Sequence, residues 1–178
     1  MKPDPKTWWR RGGKPKPNDV CATPAAFYAM LDREFGFKLD AACMESNRRA
    51  PDGFAIDRGE NGLAADWIHR TKGPVWCNPP YSSLDAWVTK CAFESIRGLT
   101  VVLLVPADPS TAWWKVIRGH ASEIRFVDRR LRFNGETAFQ SRTPSAVIVF
   151  DERGGPPIHT YTAPREEATA TLPFEAKA

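Results

Sequence analysis

The run from Leu99 to Val105, unbroken in its aliphatic character from Val101 onward and closed by Pro106, constrains the fold most. An aliphatic stretch without alternation buries both faces of a strand, and such strands belong to the middle of parallel sheets covered by helices on both sides. A chain of 178 residues is long enough to build one domain of that kind around a real core. Further strands are predicted at Phe37–Asp40, at Val75–Cys77, at Ile124–Val127 and at Ser145–Phe150. Helical spacing links them. Phe27, Met30, Leu31 and Phe35 recur at helical intervals, with Thr23 as N-cap, Pro24 in the first turn and Gly36 at the end. Leu84, Trp87, Val88, Cys91 and Ala92 mark a second helix, capped by Ser82 or Ser83. A third is predicted over Ser110–Gly119. Strand and helix alternate, so the expectation is a single α/β domain: a mostly parallel sheet with a terminal antiparallel hairpin.

Chemistry concentrates at Asn78-Pro79-Pro80-Tyr81, directly after Val75-Trp76-Cys77. Neither proline can donate a backbone hydrogen bond, so the strand stops there and the turn is stiff. The C-terminal edge of an open α/β sheet is where ligands bind. A planar amino group conjugated to a ring is a poor nucleophile, because its lone pair is delocalised. Two acceptors on its hydrogens favour the charge that grows on nitrogen as it attacks. The Asn78 side-chain oxygen and the Pro79 carbonyl suit that task, and Tyr81 can stack on the ring. The same four residues also read as a plain loop or a polyproline ligand.

Asp40 ends the predicted first strand and precedes Ala41 and Ala42, whose small side chains let a ligand approach the backbone. A turn or helix-capping role for Asp40 fits as well. Residues 44–62 are polar and too short for two complete strand–helix units, so trimmed, irregular structure is expected there. Arg129, Arg130 and Arg132 stand beside the hairpin signal Asn134-Gly135. They read either as contacts to nucleic-acid phosphates or as a solvated rim. The adjacent Trp113 and Trp114 read first as core.

Net charge is +4 and the isoelectric point near 9.0, which allows a polyanionic partner without requiring one. The cysteines Cys21, Cys43, Cys77 and Cys91 lack the spacing of a zinc site and sit in apolar stretches, as reduced thiols of a cytoplasmic protein do. No metal is expected. No apolar run reaches membrane-spanning length and no signal peptide is evident, so no membrane partner is expected. Residues 1–18 read as a flexible basic arm around Trp8-Trp9, 19–150 as the folded domain, and 151–178 as a frayed, Pro-rich tail.

The ordered series Thr23-Pro24, Leu39-Asp40-Ala41-Ala42, Asp66-Trp67, Trp76-Cys77-Asn78-Pro79-Pro80-Tyr81-Ser82, Leu103-Leu104-Val105-Pro106-Ala107, Trp113-Trp114 and Arg130-Leu131-Arg132-Phe133 resembles the small phage DNA N-6-adenine methyltransferase family. The resemblance implies a Rossmann-like class I methyltransferase fold, S-adenosylmethionine as cofactor and double-stranded DNA as partner. It implies catalytic roles for Asn78, Pro79, Pro80 and Tyr81. Around the cofactor it implies Thr23, Pro24, Asp40, Ala41, Ala42, Asn47, Asp66 and Asn78, with Asp66 on the adenine amine. If phage-encoded, such a protein works in the bacterial host cytoplasm. One departure is plain: the usual glycine-rich turn after the first strand has no glycine here. The same chemistry also serves RNA amines and protein glutamines, and a non-catalytic DNA-binding protein can keep the fold. Oligomeric state and recognition sequence are not readable.

Overall fold

The computed structural model describes residues 22–133, 139–140, 143–153 and 158–162. Helix α1 (Ala25–Phe35) leads into β1 (Leu39–Cys43) and β2 (Asp52–Ala55). A short helix α2 (Trp67–Arg70) precedes β3 (Val75–Cys77), and α3 (Leu84–Ile96) precedes β4 (Val101–Pro106). Then come α4 (Trp114–His120), β5 (Glu123–Val127), the paired β6 (Arg132–Phe133) and β7 (Phe139–Gln140), β8 (Ser145–Phe150) and β9 (Ile158–Thr162).

The main sheet has seven strands in the order β2-β1-β3-β4-β8-β5-β9. Strands β1 to β4 are parallel neighbours, and β8 runs antiparallel between β4 and β5. The aliphatic run becomes the central strand that its composition demands, fully buried from Val101 to Val105. Its side chains divide by alternation. Val101, Leu103 and Val105 join Leu39, Val75 and Cys77 under α2, α3 and α4, with Trp67, Trp87 and Ile117 packed on them. Val102 and Leu104 join Trp76 and Val147 under α1, whose Phe27, Tyr28 and Leu31 cover them. Leu131 and Phe133 pack onto that second face as well.

Several expectations are corrected. Pro24, not Thr23, stands at the N-cap of α1, without a side-chain cap bond. Ser83 stands at the N-cap of α3 after a 3-10 turn over Tyr81–Ser83, again without a side-chain cap bond. The third helix starts only at Trp114, because Asp108 organises the preceding residues as a turn: its carboxylate accepts from Ser110 N at 3.1 Å and its carbonyl from the Thr111 hydroxyl at 2.8 Å. The first strand is Leu39–Cys43, so Asp40 lies inside it rather than at its end. The expected frayed tail contributes β9, parallel to β5. Residues 44–62 hold one short strand and a 3-10 turn, trimmed as expected. Gly36, in the left-handed region at φ 66°, ends α1. Cys43, Cys77 and Cys91 are free and buried; Cys21 and the Trp8-Trp9 arm lie outside the described residues.

Candidate active site

The chain leaves β1 for β2 on one side and returns to β3 on the other. Strand order therefore reverses between β1 and β3, and the crevice beyond their C-terminal ends is the ligand site of such a sheet. Leu39 pairs with Val75 and Asp40 with Trp76. Carried two residues on, that register sets Ala42 beside Asn78, so the two segments singled out in the sequence face each other. Pro79 and Pro80 are buried, Asn78 and Tyr81 half-buried. The Pro80 carbonyl accepts from Ser83 N at 3.2 Å, which turns the chain into α3. The stiff turn is thus held between a buried strand and a packed helix.

On the β1 side, Asp40 is 3% exposed. Its carboxylate accepts from Arg49 N at 3.0 Å and, weakly, from Ala42 N at 3.4 Å. Burial pushes its pKa up to about 6; the two backbone N–H groups and the charges of Arg49 and Arg48 pull the other way. The Arg49 guanidinium reaches past it to donate from Nη2 to the Thr23 carbonyl at 2.6 Å. Arg49 therefore fastens the segment leading into α1 to the end of β1. Two buried polar atoms there have no partner among the described residues: Thr23 Oγ1 and Arg49 Nε. Buried donors are rarely left unmatched, so this corner fits a ligand that brings an acceptor. Asn47 closes the turn after β1, accepting from Met44 N through Oδ1 at 2.7 Å.

The missing glycine of the first turn is supplied from elsewhere in the chain. A Cβ on Gly62 would stand 2.1 Å from the Ala41 carbonyl oxygen, so only glycine lets the post-β2 loop lie against the end of β1. Trp67, fully buried, donates its indole N–H to the Gly62 carbonyl at 2.7 Å and fixes that loop.

Asp66 does not join the crevice. Its carboxylate accepts from Arg97 Nη1 at 2.9 Å and pairs with His69 at 2.8 Å. Arg97, foremost, and then His69 hold its pKa below the usual carboxylate range. Arg97 caps the far end of α3, and Lys90 of the same helix donates to the Ala65 carbonyl at 2.7 Å. The fully buried Glu94 accepts from both Lys90 and Arg97. A thirteen-residue helix is about 20 Å long. The carboxylate expected on the cofactor's adenine amine is thus committed to holding α3, toward the end opposite the Asn78-Pro79-Pro80-Tyr81 turn.

Sequence reasoning missed two residues. Arg49 sits in a polar turn, and nothing local marks its reach to Thr23. Asp57 follows β2 and accepts from Glu45 N at 2.9 Å, bridging the loops after β1 and β2. An acidic residue beyond the first turn takes ribose hydroxyls in dinucleotide folds, but Asp57 stands closer to that turn than the usual spacing of about 20 positions, so its place just past β2 was the only available signal.

Arg129, Arg130 and Arg132 are exposed, and Arg132 lies in β6. The pairing of Arg132 with Gln140 and of Phe133 with Phe139 gives the expected hairpin, whose turn at Asn134-Gly135 lies outside the described residues. Trp113 and Trp114 are buried against each other at 5.6 Å between rings, in core roles. Among the described residues no cluster of metal-ligating side chains occurs, and no helix is long and apolar enough to cross a membrane.

The model of the family DNA N-6-adenine-methyltransferase (Dam) matches residues 13–169. The DNA N-6-adenine-methyltransferase of Haemophilus phage HP1 is 30% identical over 148 residues, covering 79% of this chain and 83% of that protein. That of Escherichia phage T1 is 33% identical over 137 residues, covering 76% of this chain and 56% of that longer protein. Among solved structures, a candidate class I S-adenosylmethionine-dependent methyltransferase of Listeria monocytogenes superposes with a TM-score of 0.52 at 15% identity, covering 88% of this chain and 69% of that one. The likeness of fold, the proline-locked turn at the switch point of the sheet and the match over most of the sequence make this chain a member of the DNA N-6-adenine-methyltransferase (Dam) family.

Proposed function

We propose that this protein methylates the N6 amino group of adenine in double-stranded DNA, with S-adenosylmethionine as methyl donor. The observation that carries the reading is the position of Asn78-Pro79-Pro80-Tyr81 at the switch point, one strand from the buried Asp40. The residues present fit the cofactor. Its carboxylate matches the unpartnered Thr23 hydroxyl and Arg49 Nε–H, and its cationic groups match the Asp40 carboxylate. Ala41 and Ala42 leave room for it, while Asn47 shapes the turn beside them and Pro24 stiffens the segment that carries Thr23. Asp57, in the loop after β2, suits its ribose hydroxyls. When bound, the cofactor supplies an electrophilic methyl group on a sulfonium centre.

The chain's own residues do the rest. The Asn78 amide oxygen and the Pro79 carbonyl accept the two N6 hydrogens and stabilise the charge that develops on nitrogen. Pro79 and Pro80 hold both acceptors in place, so little reorganisation is needed as charge develops. Tyr81 stacks on the purine. The base must leave the duplex to reach this turn, at a cost of a few kcal/mol; one aromatic stack returns about 1–3 kcal/mol. Arg129, Arg130 and Arg132 hold the DNA by its phosphates, and specificity comes from loops.

The test is transfer of a tritiated methyl group from labelled cofactor to unmodified DNA, followed by single-molecule mapping of the product. Label in N6-methyladenine is the expected result. Label in RNA or protein but not in DNA would overturn the reading.

A further inference from the structure

Ser145 opens β8 and is 1% exposed, yet among the described residues its hydroxyl has no hydrogen-bond partner. A strand residue with an unsatisfied buried hydroxyl is unusual. Its position explains what it serves. Ser145 pairs with Pro106, the last residue of β4, so it stands at the C-terminal edge of the sheet, and the adjoining Pro144 carbonyl accepts from Ala107 N at 2.7 Å. Alternation along β8 places its side chain with Val147 on the α1 face, beside Trp76, Leu104, Leu131 and Phe133. The same alternation carried one residue past β3 puts Asn78 on that face, two positions beyond Trp76. Cys77 pairs with Leu103, so Asn78 lies level with Leu104. Ser145 is then two strands across and two residues further along. Taking strands about 4.8 Å apart and about 3.3 Å per residue, the two Cα atoms lie roughly 11–12 Å apart. That span suits two short side chains with one planar base between them.

We propose that the Ser145 hydroxyl is a binding contact for the extruded adenine, hydrogen-bonded to one ring nitrogen while Asn78 and Pro79 hold the amino group. The inference rests on the DNA-adenine reading and deepens it. It supplies the far wall of a pocket whose near wall is the catalytic turn. Held at two edges, the base cannot rotate in its plane, and N6 stays in line with the methyl donor. The donor in this contact is the hydroxyl and the acceptor a purine nitrogen, so replacing that one nitrogen by carbon removes the bond as surely as removing the hydroxyl.

The experiment is a double-mutant cycle between enzyme and substrate. Wild type and Ser145→Ala are each given an oligonucleotide bearing the sequence that wild type methylates, with the target adenine intact or replaced by its 1-deaza, 3-deaza or 7-deaza analogue. Ser145→Ala should lower kcat/KM on adenine roughly 3- to 10-fold, as loss of a neutral hydrogen bond does. One analogue should cost wild type the same factor and cost the variant nothing more, while the other two act alike on both enzymes. Cofactor affinity should not move. Thermal melting should be unchanged or higher, since an unsatisfied buried group is gone. If Ser145→Ala melts below wild type, Ser145→Cys carries the same comparison with a weaker donor of similar size. Equal losses on all three analogues in both enzymes, or a variant as fast as wild type on adenine, would overturn the contact. Wild type that transfers no methyl group to DNA would overturn the parent reading along with it.

Discussion

Replacing Gly62 by alanine tests how the crevice is built. The added Cβ would lie 2.1 Å from the Ala41 carbonyl oxygen and 2.9 Å from a ring carbon of Trp87. The first of these is backbone inside β1, paired on both sides, and cannot swing aside, so the Gly62 loop must retreat. Forced overpacking of this kind costs about 1–3 kcal/mol. Retreat also strains the 2.7 Å bond from the Trp67 indole, and a fully buried indole N–H left unmatched costs about 1–3 kcal/mol more. The combined loss is roughly 2–5 kcal/mol, with overlap between the two effects. Urea unfolding followed by tryptophan fluorescence reads it as a lower midpoint. Calorimetric titration should show weaker cofactor binding, because Ala41 lines the same crevice. Gly119→Ala is the control: nothing lies within 4 Å of its added Cβ, and it sits in α4, where alanine is the better helix former. If Gly62→Ala unfolds at the same urea concentration as Gly119→Ala, the close approach is not what seats the loop.

Three other perturbations separate the roles assigned to the site. Asn78→Ala should lower the single-turnover rate about 10²–10³-fold, the usual cost of one transition-state hydrogen-bonding partner, with cofactor affinity nearly unchanged; a variant above half the wild-type rate would remove Asn78 from catalysis. Burial raises the Asp40 carboxyl from 3.8 to about 6, so the folded protein binds that proton more tightly than the unfolded chain. Cofactor-free stability should therefore fall as pH rises from about 4 to 6, while cofactor affinity rises through about pH 6 as the carboxylate forms; in Asp40→Asn both dependences should vanish, and calorimetry across that range decides it. Replacing Arg129, Arg130 and Arg132 together by alanine should flatten the plot of log DNA affinity against log salt by about 2–3 units, at about 0.9 for each phosphate no longer neutralised, without moving the methylated positions; an unchanged slope would make them a solvated rim.

What the sequence disclosed depended on whether the controlling interaction was local. Val101–Val105 announces a central strand because burial on both faces leaves no polar alternation to mistake. Pro79 and Pro80 announce a stiff turn because their backbone chemistry is independent of context. Thr23 misled because a threonine before a proline has the form of a helix cap, whereas its hydroxyl is buried without a cap bond. Asp66 misled because its partner, Arg97, lies 31 positions away and is joined to it only when α3 packs. The glycine absent from the first turn was equally invisible: Gly62 reaches Ala41 through the fold, not along the chain. β9 was missed because it is an edge strand, so nothing required the continuous apolar run by which β4 is recognised.

On the proposed reading, alternation along the sheet also bears on the side from which DNA would arrive. Asp40 and Trp76 pair across β1 and β3, and Trp76 belongs to the face covered by α1. Asn78 and Ser145 follow on that face by the same two-residue period. The segment that bears the arginines packs there too: Leu131 and Phe133 are buried in the α1-side core, while Arg132 between them is exposed. Two buried apolar residues thus fasten this segment to the α1-covered face, and the period of two obliges the residue between them to face solvent. On the proposed reading, a phosphate held there would lie on the same face of the sheet as Asn78 rather than across it. On the proposed reading a nucleotide would reach Asn78 from the α1-covered face, whereas approach over α3 would have to pass the helix that Lys90, Glu94 and Arg97 clamp to the 65–66 segment. On that reading the clamped face and the face that would receive DNA are opposite faces of the sheet.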